Sequence, residues 1–323
     1  MKVFVTGGTG FIGSHLVDAL TSRDDTEVRC LVRSNEKWLK GRNYERVSGD
    51  LHDLPALREA LKDVDVLFHI AAIVMAPDKN TFHRINVEAT ENLIRCAQRA
   101  GVKKIVLLSS LAAAGPSYQS PVTESDPMMP VSMYGESKKE MEEMVHQLAR
   151  PEDSITMLRP PAVYGPREEQ IYSFFQIASK GFCPIVKDKK EIRLSMVHVS
   201  DVIQGLLLAM DDHRKGVHTY FVSSEELYTW DEIRDCTSKA LGKKLRTIKI
   251  PAGLVKRLGA ISEGVSSLFG KYPVLNKDKA REMTLQWTCS VDNIRKDLGY
   301  RQKVSLQEGI NDTIQWYKKH NWL

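Results

Sequence analysis

A chain of 323 residues suits one large domain or two intimate ones, and its composition, 42% hydrophobic and 27% charged, is that of a soluble globular protein. The formal charge of +5 comes without a lysine- or arginine-rich block. A nucleic-acid surface is therefore not implied, whereas a basic cleft for an anionic cofactor is compatible. No apolar run is long enough to span a bilayer. The five cysteines, Cys30, Cys96, Cys183, Cys236 and Cys289, are dispersed and lack metal-ligand spacing. Reduced thiols in a cytoplasmic protein without a metal site are expected, and a strand starting at residue 2 leaves no room for a leader.

In chain order, the patterning predicts a strand at Lys2–Thr6 and a helix at Phe11–Ser22, then strands at Glu27–Val32 and Tyr44–Ser48. A helix at Leu54–Leu61, a strand at Val64–Ile70 and a helix at Phe82–Ala100 follow. Next come a strand at Lys103–Ser109, a helix at Gly135–Ala149 and a strand at Ile155–Arg159. Regular alternation of this kind implies a doubly wound parallel sheet in an α/β fold. The segment Val64–Ile70 is mostly apolar, as a strand covered on both faces should be. Beyond Pro160 the loops lengthen, Val217–Ser223 reads as a strand returning to the main sheet, and helices dominate from Asp231 onward. A nucleotide-binding domain is thus expected from 1–165 and 195–223, with a smaller, mostly helical, discontinuous substrate domain from 166–194 and 224–323.

Between the first strand and helix the chain reads Thr6-Gly7-Gly8-Thr9-Gly10-Phe11-Ile12-Gly13. A tight glycine turn opening a helix lets the backbone approach a pyrophosphate, whose charge the helix dipole favours. Arg33 lies twenty positions past Gly13, at the end of the second strand, where a carboxylate would hold the adenosine ribose of NAD. A guanidinium there suits a 2′-phosphate, so NADP is the expected cofactor and NAD the alternative. Tyr134 and Lys138 are four residues apart and share a helix face. A nearby ammonium favours the phenolate and makes Tyr134 a usable acid or base.

The spacing Gly7-x-x-Gly10-x-x-Gly13 and these words together resemble the extended branch of the short-chain dehydrogenase/reductase superfamily. That branch holds nucleotide-sugar epimerases, dehydratases, 3β-hydroxysteroid dehydrogenases and dihydroflavonol reductases. The resemblance implies a Rossmann fold, with Gly7, Gly10, Phe11, Ile12 and Gly13 against the cofactor. It also implies Asp50 and Leu51 beside the adenine, and Ala71 and Ala72 beneath the cofactor. Asn86 matches a family position on the next helix, where it serves as a site residue or as a buttress. In the third catalytic role Ser110, five residues before Gly115, is chosen over Ser109, which is left to satisfy backbone groups. The run Arg159-Pro160-Pro161-Ala162-Val163-Tyr164-Gly165 resembles the loop covering the nicotinamide and brings in Pro160 and Val163. His198 and Asp201, in a second family signature, are expected to anchor a strand-to-helix turn.

Departures from the family patterns bear on the reaction. Leu111-Ala112 follows Ser110 where sugar-nucleotide dehydratases place Asp-Glu, and Ala162 and Leu194 stand where epimerases carry Asn and Arg. Ile73, Val74, Met75, Leu111 and Ala112 give the substrate side an apolar character. The expected activity is hydride transfer between nicotinamide and an apolar, sterol- or flavonoid-like secondary alcohol or ketone. A nucleotide-sugar epimerase or sugar-ketone reductase is the alternative; a non-catalytic NADP-binding sensor or structural subunit, the second alternative, fits less well with Tyr134 and Lys138 both intact. Within 251–270, Leu254, Leu258, Ile261, Val265, Leu268 and Phe269 recur at helical spacing. Packing on the chain's own domain is the expectation and membrane contact the alternative. A homodimer is expected through the helices Phe82–Ala100 and Gly135–Ala149, with Met141, Met144, Val145 and Leu148 as an apolar stripe.

Overall fold

The computed structural model describes residues 1–187, 191–268, 273 and 276–323. Alternating β-branched and aromatic runs become strands: β1 (Lys2–Thr6), β2 (Glu27–Val32), β3 (Glu45–Ser48), β4 (Val66–His69), β5 (Lys104–Leu108), β6 (Ser154–Arg159) and β7 (Gly216–Phe221). They form one sheet in the order β7-β6-β5-β4-β1-β2-β3, every pair parallel. The chain order reverses between β1 and β4, where Thr6 lies opposite His69. Such a switch point opens a crevice at the carboxyl ends of the strands.

Successive strand residues point to opposite faces, and the core divides accordingly. Val3, Val5 and Phe68 pack with Leu16, Val17, Val202 and Leu206 on one side of the sheet. Phe4, Leu67, Ile105 and Leu107 pack with Leu57, Leu93, Ile94 and Val145 on the other. A separate cluster gathers later residues, among them Tyr164, Phe175, Tyr228, Ile233, Ile310 and Tyr317. Gly309 permits that packing, because a Cβ there would meet the Tyr164 hydroxyl at 2.6 Å.

Two expected elements differ in form. The helix expected over Phe82–Ala100 is three pieces: Lys79–Phe82, a π-helical turn His83–Glu88, and Ala89–Arg99. Widening of the turn coincides with Asn86, whose carbonyl accepts from the Thr90 hydroxyl at 2.8 Å. The apolar stripe of the helix Met133–Leu148 is largely spent within the monomer. Met141 and Val145 are buried, while Met144 and Leu148 are half-buried against the same sheet face.

The helix Ala252–Leu268 also departs from expectation. Val255 is buried, but Leu254, Leu258 and Ile261 are 47%, 44% and 62% exposed. The stripe expected to pack on its own domain therefore faces outward over its described part. Phe269 and the side chains of Val265 and Leu268 lie outside the described residues. Among the described residues no helix is long and apolar enough to cross a membrane, and no cluster of His, Cys, Asp and Glu could hold a metal.

Candidate active site

The glycine loop is shaped by close backbone contact. A Cβ at Gly7, whose φ is +77°, would meet the Ala71 nitrogen at 2.5 Å. One at Gly13 would meet the Gly7 carbonyl oxygen at 2.1 Å. The turn after β1 therefore lies directly against Ala71, after β4, at the switch point. Gly10 caps the helix Phe11–Thr21 without a side chain, and no acidic residue occupies the first turn. The first helical N–H groups, Phe11 and Ile12 among them, are left for an outside acceptor.

Around this crevice the other expected cofactor residues take defined places. Arg33 is exposed just past β2, and Arg46 lies close by, donating to Glu36 at 3.0 Å and to the Ser34 carbonyl at 3.1 Å. Asp50 accepts from the His52 N–H at 2.8 Å, so one carboxylate oxygen shapes the turn after β3. Leu51 packs on the sheet core. Pro160 accepts from the Leu111 N–H at 2.8 Å, and Val163 lies in a short strand paired with Val197.

Ser110, Tyr134 and Lys138 converge at the carboxyl end of β5. Ser132 caps the helix Met133–Leu148 by accepting from the Gly135 N–H at 3.2 Å, which starts the helix one residue ahead of Tyr134. Gly135 lets this helix approach the Ser110 turn, since a Cβ would meet the Ala112 carbonyl oxygen at 2.4 Å. Ser110 accepts from the Ala112 N–H at 3.1 Å, which leaves its own proton free to donate. Burial pushes the Tyr134 phenol up to about 12, the Ser110 hydroxyl opposes the rise, and Glu282 adds to it. The Lys138 ammonium donates to the Leu108 carbonyl at 2.8 Å. Burial lowers it to about 8, while Glu142 opposes the fall. Lys138 is thus bonded to the end of β5, while Ser110 and Glu282 are the charged or polar groups that act on the phenol.

Ser109 does not satisfy backbone groups. It is buried and donates to the Glu142 carboxylate, which is held by Arg159. Asn86 fixes the loop after β4, accepting from the Ile73 N–H at 2.9 Å and donating to the Ile73 carbonyl and Ser137, each at 3.0 Å. Leu111 is only 2% exposed and packs with Val122, Phe221 and Cys289, so it is core rather than substrate surface. Val74 and Met75 are exposed. His198 caps the helix Val199–Asp211, and Asp201 accepts from the Lys303 and Val304 N–H groups at 2.9 and 3.2 Å. Together they hold the turn into this helix and its packing on the chain around Lys303. Sequence reading missed Glu142, Arg46 and Gly135, whose meaning depends on partners distant in sequence.

These residues fit a nicotinamide dinucleotide through an uncapped helix N-terminus, a cation past β2 and a Ser/Tyr/Lys group at the sheet's carboxyl edge. The sequence matches the NAD dependent epimerase/dehydratase family over residues 3–223. It is 31% identical to a ceramide reductase of Caulobacter vibrioides, over 99% of this chain and 96% of that one. It is 27% identical to a UDP-glucose 4-epimerase of Vibrio cholerae, over 99% and 96% respectively. The structure of MoeE5 in complex with UDP-glucose and NAD superimposes with a TM-score of 0.79 at 25% identity, covering 99% of this chain and 100% of that one. The chain belongs to the NAD dependent epimerase/dehydratase family and is an NAD(P)-dependent enzyme of the extended short-chain dehydrogenase/reductase type.

Proposed function

We propose that the chain is an oxidoreductase interconverting an apolar secondary alcohol and its ketone, sterol- or flavonoid-like in class, with NADP as preferred cofactor. The carrying observation is the approach of the Tyr134 helix to the Ser110 turn through Gly135, with Lys138 on the same helix bonded to the end of β5 and no acid or base directly after Ser110. Elimination chemistry needs such a pair. Proton transfer coupled to hydride transfer needs only the tyrosine, a donor to the reacting oxygen and a cation. The exposed Val74 and Met75 support an apolar substrate, and the relative named as a ceramide reductase is in keeping with it.

In this reading the N–H groups of Phe11 and Ile12 hold the diphosphate, Gly7, Gly10 and Gly13 let it approach the loop, and Arg33 holds the 2′-phosphate. Asp50 and Leu51 flank the adenine, and Ala71, Ala72, Pro160 and Val163 border the remainder. The bound nicotinamide supplies or accepts the hydride. Beyond its bonds to the Leu108 carbonyl and the Met141 sulfur, Lys138 keeps one ammonium proton, enough to hold a ribose hydroxyl. Tyr134 gives its phenolic proton to the carbonyl oxygen in reduction and takes it back in oxidation, while Ser110 donates to the same oxygen.

The test is cofactor turnover with sterol, flavonoid and sugar-nucleotide alcohols, using both NAD and NADP. Turnover of apolar alcohols is expected, and Tyr134→Phe should lower it by about 10²–10⁴-fold while cofactor still binds. Turnover confined to sugar nucleotides, or a Tyr134→Phe variant near parental activity, overturns the proposal.

A further inference from the structure

Between Asp235 and Glu263 the chain has seven Lys and Arg residues and no Asp or Glu. They are spread so thinly that no block stands out. Against a whole-chain charge of +5, they leave the rest of the protein net negative. Lys243, Lys244, Arg246, Lys249, Lys256 and Arg257 are all exposed, and the last five form no ion pair with a described residue.

The same segment carries the outward apolar ridge. Leu254, Leu258 and Ile261 fall at i, i+4 and i+7, on one face of the helix Ala252–Leu268. The neighbouring face, at Val255 and Gly259, is committed to the protein. Val255 packs with Val186, Ile192 and Ala280, and a Cβ at Gly259 would meet Ala280 Cβ at 2.6 Å. Ile248, 43% exposed in the preceding strand, adds to the apolar surface. An apolar ridge flanked by Arg257, in a segment whose cations are exposed and unopposed, matches the two components of an anionic bilayer surface, acyl chains below and negative headgroups above.

We infer that this face docks the enzyme on anionic lipid bilayers. The ridge enters the headgroup–acyl boundary, and the cations on its side of the segment, Arg257 and Arg246 first among them, meet the headgroups. The docked helix lies close to the chemistry. It packs on the helix Lys277–Glu282, in which Asp278 accepts from the N–H of Met133, the residue before Tyr134, at 2.9 Å. Docking would therefore bring the catalytic cleft close to the membrane. The inference stands apart from the substrate reading, because its test needs no turnover.

The experiment is co-sedimentation of the full chain with vesicles of phosphatidylcholine alone and of phosphatidylcholine with phosphatidylglycerol. Binding to the anionic vesicles only, falling as salt rises, is expected. With each cation near the surface worth about fivefold in affinity, Arg257→Glu, beside the ridge, combined with Arg246→Glu, on the same strand face as Ile248, should weaken binding by about 25-fold or more. Leu258→Glu combined with Ile261→Glu should weaken it as well, with circular dichroism and cofactor binding showing that each variant is folded. If the apolar pair misfolds, the exposed charge pair decides. No sedimentation of the parent with anionic vesicles, or charge-pair binding equal to the parent's, overturns the inference. So does loss of an oligomer, rather than of lipid binding, on changing the ridge.

Discussion

Glu142 and Arg159 form a buried ion pair, with Nη2 to Oε2 at 2.5 Å and Nε to the two carboxylate oxygens at 3.0 and 3.1 Å. Ser109 adds a fourth contact to the same carboxylate. Glu142 lies one helical turn beyond Lys138, Arg159 ends β6 and Ser109 follows β5. The pair therefore ties the helix of Tyr134 to the two strand ends that border the site. Arg159 also stacks over Phe221, 5.4 Å from the ring centre.

Removing one partner of a buried pair leaves an uncompensated charge, which costs about 3–5 kcal/mol. Arg159→Leu should therefore lower the unfolding free energy by about that amount. Urea unfolding followed by circular dichroism measures it. A loss under about 1 kcal/mol, typical of a surface pair, would show that Glu142 is reached by water and that the clamp is weak.

Arg33 is expected to select the cofactor. Its place past β2 beside Arg46 makes that end of the crevice cationic, with Glu36 opposing. Arg33→Asp should weaken NADP binding and shift preference toward NAD. Dissociation constants by titration decide it, and a parent that binds NAD more tightly than NADP removes the assignment.

A homodimer through the helices Met133–Leu148 and Ala89–Arg99 would rest on Met144 and Leu148, since Met141 and Val145 are already buried in the monomer. In a two-fold contact one substitution alters both sides, so Met144→Glu should shift a dimer toward monomer. Light scattering checks this, and a parent monomeric at micromolar concentration ends the proposal.

Much of this architecture is legible in the residues. Lys2–Thr6 and Glu27–Val32 appear in the structure with the bounds read from sequence, because each is a compact β-branched run meeting a turn. Tyr134 and Lys138 are legible because helical spacing alone puts them on one face. Contacts across the chain are not. Glu142 reads as an ordinary helix-surface carboxylate until Arg159, 17 positions away, closes on it. Gly135 reads as a weak helix former until the Ala112 carbonyl is found where its Cβ would stand. The ridge at Leu254, Leu258 and Ile261 misleads for the opposite reason. Helical periodicity identifies a face but not what lies against it, and here Val255 and Gly259 supply the packing.

The last expectation concerns pH. His69 ends β4 and is buried between two threonines. Thr90 spends its proton on the Asn86 carbonyl at 2.8 Å, so it accepts from His69 Nε2, also at 2.8 Å. Nδ1 then accepts from the Thr6 hydroxyl at 2.6 Å. Both ring nitrogens are thus satisfied in the neutral form, which links the glycine loop to the Asn86 turn. Burial, with the Lys138 charge adding, lowers the imidazole to about 3. Between about 6.5 and about 3 the unfolded chain binds a proton that the folded chain refuses, so stability falls as pH falls through that window. From pH 7.5 to 5.0 this group alone should cost about 2 kcal/mol. His69→Gln keeps a donor and an acceptor but does not titrate, and should reduce the acid slope by that amount. Urea unfolding of both proteins across this range is the measurement, and parallel pH profiles would show that His69 protonates without penalty in the fold.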